Sequence, residues 1–171
     1  MHKKIIVLLA IVLLKSSLFS QTKEEALRDA NITGEATLKN DYSTVLTYTL
    51  PKVVEMMGGK ENAVKALTNM MNQMKKDSDF KIEKYEVISV SDVIKEQGQY
   101  RCYVETKNQM KVADTRIKSK SYLFGIFDTN NKIWQFIEAN KLTNNAQINM
   151  IIPNFKTSLN IPDDERNMEK I

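Results

Sequence analysis

Residues 116–138, RIKSKSYLFGIFDTNNKIWQFIE, decide how this chain folds. Asp128-Thr129-Asn130-Asn131 is a run of turn formers between two alternating segments. The pattern predicts one strand from about Arg116 to Phe127 and another from Lys132 to Glu138. Both are apolar on both parities: Tyr122, Phe124 and Ile126 oppose Leu123 and Phe127, and Trp134 and Phe136 oppose Ile133 and Ile137. Strands of this kind must be covered on both faces. Helices supply one cover. The other is either a second subunit, in a homodimer through the sheet, or the chain's own Met150, Ile151, Ile152, Phe155 and Ile161.

Upstream, the period of 2 continues. Tyr100, Cys102, Val104 and Thr106 alternate with Arg101, Tyr103, Glu105 and Lys107, as in a half-buried strand. Gly98 turns the chain, and Phe80 to Ile94 forms another strand region in which both parities become apolar beyond Lys84, as at a bulge. Before Asp77 the period is that of a helix. Ala63, Leu67, Met70, Met71 and Met74 mark one face of a helix from about Lys60 to Lys76, a stripe expected to fill core. Gly58-Gly59 precedes it, and Val53-Val54-Glu55-Met56 leans towards strand. A short helix is predicted from Tyr42, capped by Asn40-Asp41, to Leu50, closed by Pro51. A first helix runs from the Thr22-Lys23-Glu24-Glu25 capping box to about Lys39, with Ala26, Leu27, Ala30, Ala36 and Leu38 as its apolar side and Gly34 as a weak point. Downstream of Asn140 the chain is rich in Asn, and residues 163–171 are expected to be a frayed, flexible tail.

The ends and the composition restrict function. His2, Lys3 and Lys4, the apolar run Ile5 to Leu14, and Lys15 to Ser20 have the three parts of a secretory signal, so residues 1–20 are expected to be cleaved and the rest exported, periplasmic or secreted. The run is about half the ~20 residues of a membrane-crossing helix, which argues against stable insertion. The chain carries 25 Lys and Arg against 21 Asp and Glu. Lys3, Lys4 and Lys15 lie in the signal with no acidic residue, so the net +4 falls to +1 without it. A near-neutral surface does not suit nucleic acid. The only histidine is His2 and the only cysteine Cys102, so a Ser-His or Cys-His nucleophile and a His- or Cys-based metal site are excluded from the mature chain, and no cofactor is implied. Cys102 is expected to be buried and inert. The ~150 residues that remain suit one domain.

Helix, short helix, helix and four meandering antiparallel strands is the order of a cone-shaped α+β fold. In that order, with Asn40-Asp41-Tyr42, Leu50-Pro51-Lys52-Val53-Val54, Gly58-Gly59-Lys60-Glu61 and Ile133-Trp134-Gln135-Phe136-Ile137 at their places, residues 22–140 resemble the nuclear transport factor 2-like superfamily. A cystatin-like sheet around one helix fits less well, because three helices precede the strands. The resemblance implies one domain over residues 21–162, with three N-terminal helices on a curved four-stranded antiparallel sheet that encloses a cone open at one end. It implies no chemistry, since enzymes and binding proteins share the fold.

Tyr48, Met57, Tyr100, Tyr122, Phe124, Trp134 and Phe136 are the candidate lining of that cone. Some enzymatic members place a carboxylate beside a tyrosine there. Asp92 and Glu138 are the carboxylates to consider here, and both are expected at the surface. No catalytic or metal-binding residue is assigned. Two functions follow as expectations. The first is an exported non-enzymatic domain holding a small apolar ligand or serving a structural role. The alternative is a small isomerase, dehydratase or hydrolase using a carboxylate and a tyrosine.

Overall fold

The computed structural model describes residues 23–143 and 145–171; the expected signal segment and the Thr22 cap lie outside them. The chain is α+β. Four helices precede the sheet: α1 (23–38), α2 (Tyr42–Thr47), α3 (Pro51–Met56) and α4 (Lys60–Ser78). Six strands form one antiparallel sheet: β1 (Lys81–Val90), β2 (Ile94–Glu96), β3 (Gln99–Val112), β4 (Thr115–Asp128), β5 (Ile133–Glu138) and β6 (Glu165–Lys170). A 3-10 turn, Ala139–Thr143, and α5 (Asn145–Ile151) lie between β5 and β6. Among the described residues no helix is long and apolar enough to cross a membrane.

The expected three helices and four strands are thus four and six, for local reasons. Val53-Val54-Glu55-Met56 is helical, not extended, because Pro51 sits at the first turn, where its fixed φ and missing N–H are tolerated. The expected Phe80–Ile94 strand breaks at Val90. β1 pairs with β3 through register shifts at Ile82/Lys84 and Val87/Ser89, and β2 resumes farther along the same edge of β3. On the far edge of β4, β5 pairs with residues 123–128 and β6 with residues 115–120. The sheet is therefore four lanes wide, with its two outer lanes each built from two strands.

Both faces are covered, as the two-sided strands require. On one face Ala26 and Ala30 of α1 pack on Val90, Cys102, Val104, Trp134 and Phe136. Small side chains let the helix lie close. Gly34 extends the stripe, and a Cβ there would stand 2.6 Å from Cε1 of Tyr85. The helix passes through this glycine because the sheet needs it. Leu27 and Leu38, expected on the apolar side, are exposed on the outer face instead. The α4 stripe also departs from expectation at one position: Ala63 and Met71 are buried, but Met70 is exposed. Fully buried Asp29 ties α1 to β5, its Oδ2 accepting the Trp134 N–H at 2.8 Å and its Oδ1 the Arg28 Nε–H at 2.9 Å.

On the opposite face Tyr122 and Phe124 pack with Ile148 of α5 and Ile152, flanked by Phe155, Leu159 and Ile161. The chain supplies its own cover. Leu123, Phe127, Ile133 and Ile137 are all partly buried within one chain.

Arg101 holds this cover down. Its parity faces the C-terminal segment, and it is 1% exposed. Nη1 donates to the Lys156 carbonyl at 2.6 Å, Nη2 to Gln97 Oε1 at 2.9 Å and Gln99 Oε1 at 2.7 Å, and the guanidinium lies against the rings of both Phe124 and Phe155. Beside it, Glu96 accepts from the Ser158 amide at 2.7 Å and the Thr157 hydroxyl at 2.8 Å.

The expected frayed end is β6. It buries almost nothing, but its backbone ladder on β4 is reinforced by Lys120–Glu165 at 2.6 Å and Lys118–Glu169 at 3.0 Å. Hydrophobic patterning has no power to reveal a strand of this kind.

Candidate functional site

A cleft of about 820 Å³ opens between the helices and the sheet and continues to the gap separating β5 from β6. Its walls differ. The helical side and the β5 end are largely apolar: Val45, Tyr48, Val53 and Met56 face Leu123, Phe136 and Ile137, and Met150 of α5 stands at the rim. Met56 and Met150 are 53% and 55% exposed, an apolar edge left in water.

The wall formed by β3 and β4 is uncharged and, between Met110 and Leu123, polar. The parity that puts Cys102 and Val104 under α1 carries on to Thr106 and Asn108, which line the cleft. In register, Thr106 lies opposite Ser121 and Asn108 opposite Ser119. The Thr106 hydroxyl donates to the Ser121 carbonyl at 3.1 Å, and Asn108 Nδ2 reaches Ser121 Oγ at 3.5 Å. Asn108 Oδ1 is buried and accepts no hydrogen bond among the described residues. Tyr85 closes the β1 side; burial pushes its hydroxyl up to about 12, against a smaller opposing effect of its hydrogen bond with Thr106. Thr33 and Thr37, one turn apart on α1, complete this wall, their hydroxyls donating to the carbonyls of Asp29 and Thr33.

Where the outer lane of β4 passes from β5 to β6, a side chain fills the break. Asp164 Oδ1 accepts the Tyr122 N–H at 3.2 Å, and its Oδ2 accepts from Asn140 Nδ2 at 3.0 Å. Glu138, at the end of β5, is 64% exposed and faces Lys141 at 3.7 Å. Asp92 lies away from the cleft, 99% exposed near Lys23.

The seven candidate lining residues divide. Tyr48, Tyr122 and Phe136 border the cleft. Trp134 and Phe124 do not. Trp134 is packed under α1 beside Phe127, and Phe124 meets Phe155 edge-on on the other face. The register puts Trp134 and Phe136 on one face and Tyr122 and Phe124 on the other, because Gly125 pairs with Phe136 and Phe127 with Trp134, so no single face gathers the four. Tyr100 packs against the α1-side core under the Lys95 ammonium. Met57 ends α3 outside the cleft, and its neighbour Met56 enters it.

Sequence reasoning missed Tyr85, Asn108, Thr33, Thr37, Ser119 and Ser121. The spacing of Thr33 and Thr37 on the inner stripe of α1 was the available signal. Among the described residues, no three His, Cys, Asp or Glu side chains are grouped to hold a metal ion. No family model matches the chain, and no curated protein is similar to it in sequence.

Proposed function

We propose that the protein is an exported, non-enzymatic binding domain of the cone-shaped, nuclear transport factor 2-like kind, holding one small and largely apolar ligand. The cleft carries this reading. Its ~820 Å³ lies within the roughly 300–1,000 Å³ of small-molecule sites, and its walls pair apolar side chains with a few convergent polar groups. The carboxylates on its walls support binding over acid-base chemistry. Glu138 is exposed beside Lys141, and Asp164 is occupied at the β4 edge.

Titration with the apolar fluorophore N-phenyl-1-naphthylamine tests the reading. One equivalent should bind, and Ser121→Phe, which fills the cleft, should abolish binding without lowering the urea midpoint. Uptake unaltered by Ser121→Phe overturns it. Export is tested separately by the intact mass of the protein recovered from its native host, with loss of residues 1–20 expected and retention of Met1 overturning it.

A further inference from the structure

We infer that the cleft takes a neutral amphiphile, an apolar body with hydroxyl groups along one edge, and not an ion with an apolar tail. The inference deepens the binding reading and rests on it. The threonine hydroxyls of the polar wall are already committed. Thr106 spends its hydroxyl proton on the Ser121 carbonyl, and Thr33 and Thr37 spend theirs on carbonyls of α1, so what these groups still offer is lone pairs. Asn108 Oδ1 is an acceptor already withdrawn from water with nothing donating to it. A buried acceptor in that condition costs free energy until a donor arrives.

A hydroxyl supplies that donor, and its oxygen can in turn accept from Ser119 or Ser121. A carboxylate has no proton to give and would leave Asn108 Oδ1 without a donor. Among the described residues the cation on the cleft without an ion pair is Arg166, on the exposed strand β6 at the rim, where water screens it. Opposite the polar wall, Tyr48, Val53 and Phe136 offer an apolar surface for the body. The two walls thus specify a two-sided ligand.

Three probes sharing one acyl chain test this on the whole protein by calorimetric titration: 1-decanoylglycerol, methyl decanoate and decanoate. The glycerol ester should bind about tenfold tighter than either other probe, the contribution of one buried hydrogen bond. Asn108→Leu should erase that margin while leaving methyl decanoate unchanged, and Asn108→Asp, which retains an acceptor oxygen, should keep it. If Asn108→Leu does not fold, the margin in the unaltered protein still decides. Methyl decanoate or decanoate binding as tightly as the glycerol ester overturns the hydroxyl assignment and leaves the binding reading standing. If none of the three binds while the naphthylamine probe does, this inference alone falls; if that probe is also excluded, the binding reading falls with it.

Discussion

Replacing Arg101 by Met should loosen the cover over one whole face of the sheet. Methionine keeps an apolar chain against Phe124 and Phe155 but removes every donor. The bonds lost are those to the Lys156 carbonyl at 2.6 Å and to Gln97 and Gln99 at 2.9 and 2.7 Å. Hydrogen bonds from a charged donor are worth about 1.5–3 kcal/mol each, but two of these acceptors are side chains that water can reach again. Burial also lowers the pKa of Arg101, so the wild type carries a desolvation cost that methionine does not. Glu96, 3.6 Å away, keeps its bonds to Thr157 and Ser158. The net loss should be about 2–3 kcal/mol, at or below the ~3–5 kcal/mol of a broken buried ion pair. With a urea m-value of about 1–3 kcal/mol/M, the midpoint should fall by roughly 1–2 M, read from the fluorescence of Trp134, the only tryptophan. Amide exchange should accelerate first at residues 154–159. Lysine should not rescue, because its single ammonium cannot reproduce the fork of the guanidinium. A loss below about 0.5 kcal/mol, the scale of an ordinary surface change, would refute the role given to Arg101.

Gly34→Ala should destabilise by about 1–2 kcal/mol, overpacking against Tyr85 outweighing the ~1 kcal/mol gained in helix propensity. In a Tyr85→Ala background the same change should become stabilising, and a thermal-melt double-mutant cycle reads the reversal. Glu83 is held down to about 2, first by its hydrogen bonds from Arg116 and then by that from Gln109. With a depressed folded pKa, its contribution is complete above about 4.5 and is lost as pH falls towards 2, so Glu83→Gln should flatten the pH dependence of the urea midpoint in that window. Cys102 is fully buried and burial raises its thiol pKa, so an aromatic disulfide reagent should label it at pH 8 only after unfolding; rapid labelling of the native protein would contradict that packing.

How much of this was legible depended on whether burial wrote itself into hydropathy. The two-sided strands 116–127 and 132–138, the need to cover both their faces, the α4 stripe and the burial of Cys102 all follow from apolar periodicity. Asp41 was readable as a cap, and it does accept from the Thr44 amide at 3.1 Å. Arg101 and Asp29 were not readable. A charged residue looks solvated until a distant segment arrives to bond it. The same holds for β6, whose backbone pairing and ion pairs leave no apolar trace. In the cleft, Tyr48, Tyr122 and Phe136 were found by size. Asn108, Thr106 and Ser121 were not identified as a site, because their meeting depends on the register between β3 and β4, which one sequence does not display.

Both covers of the sheet come from the ends of the described chain, and this sets an order in time. The Asp29–Trp134 bond closes across 105 residues, and the Gln97–Asn154 bond across 57. Neither α1 nor the segment that carries Phe155 can bury its face until the strands between them have paired. Contacts so distant along the chain make for slow folding, on the scale of milliseconds to seconds. A partly synthesised chain, with α1 already made, would hold a sheet bare on the face that Ile148, Ile152 and Phe155 cover, open to association with its neighbours until that segment is made.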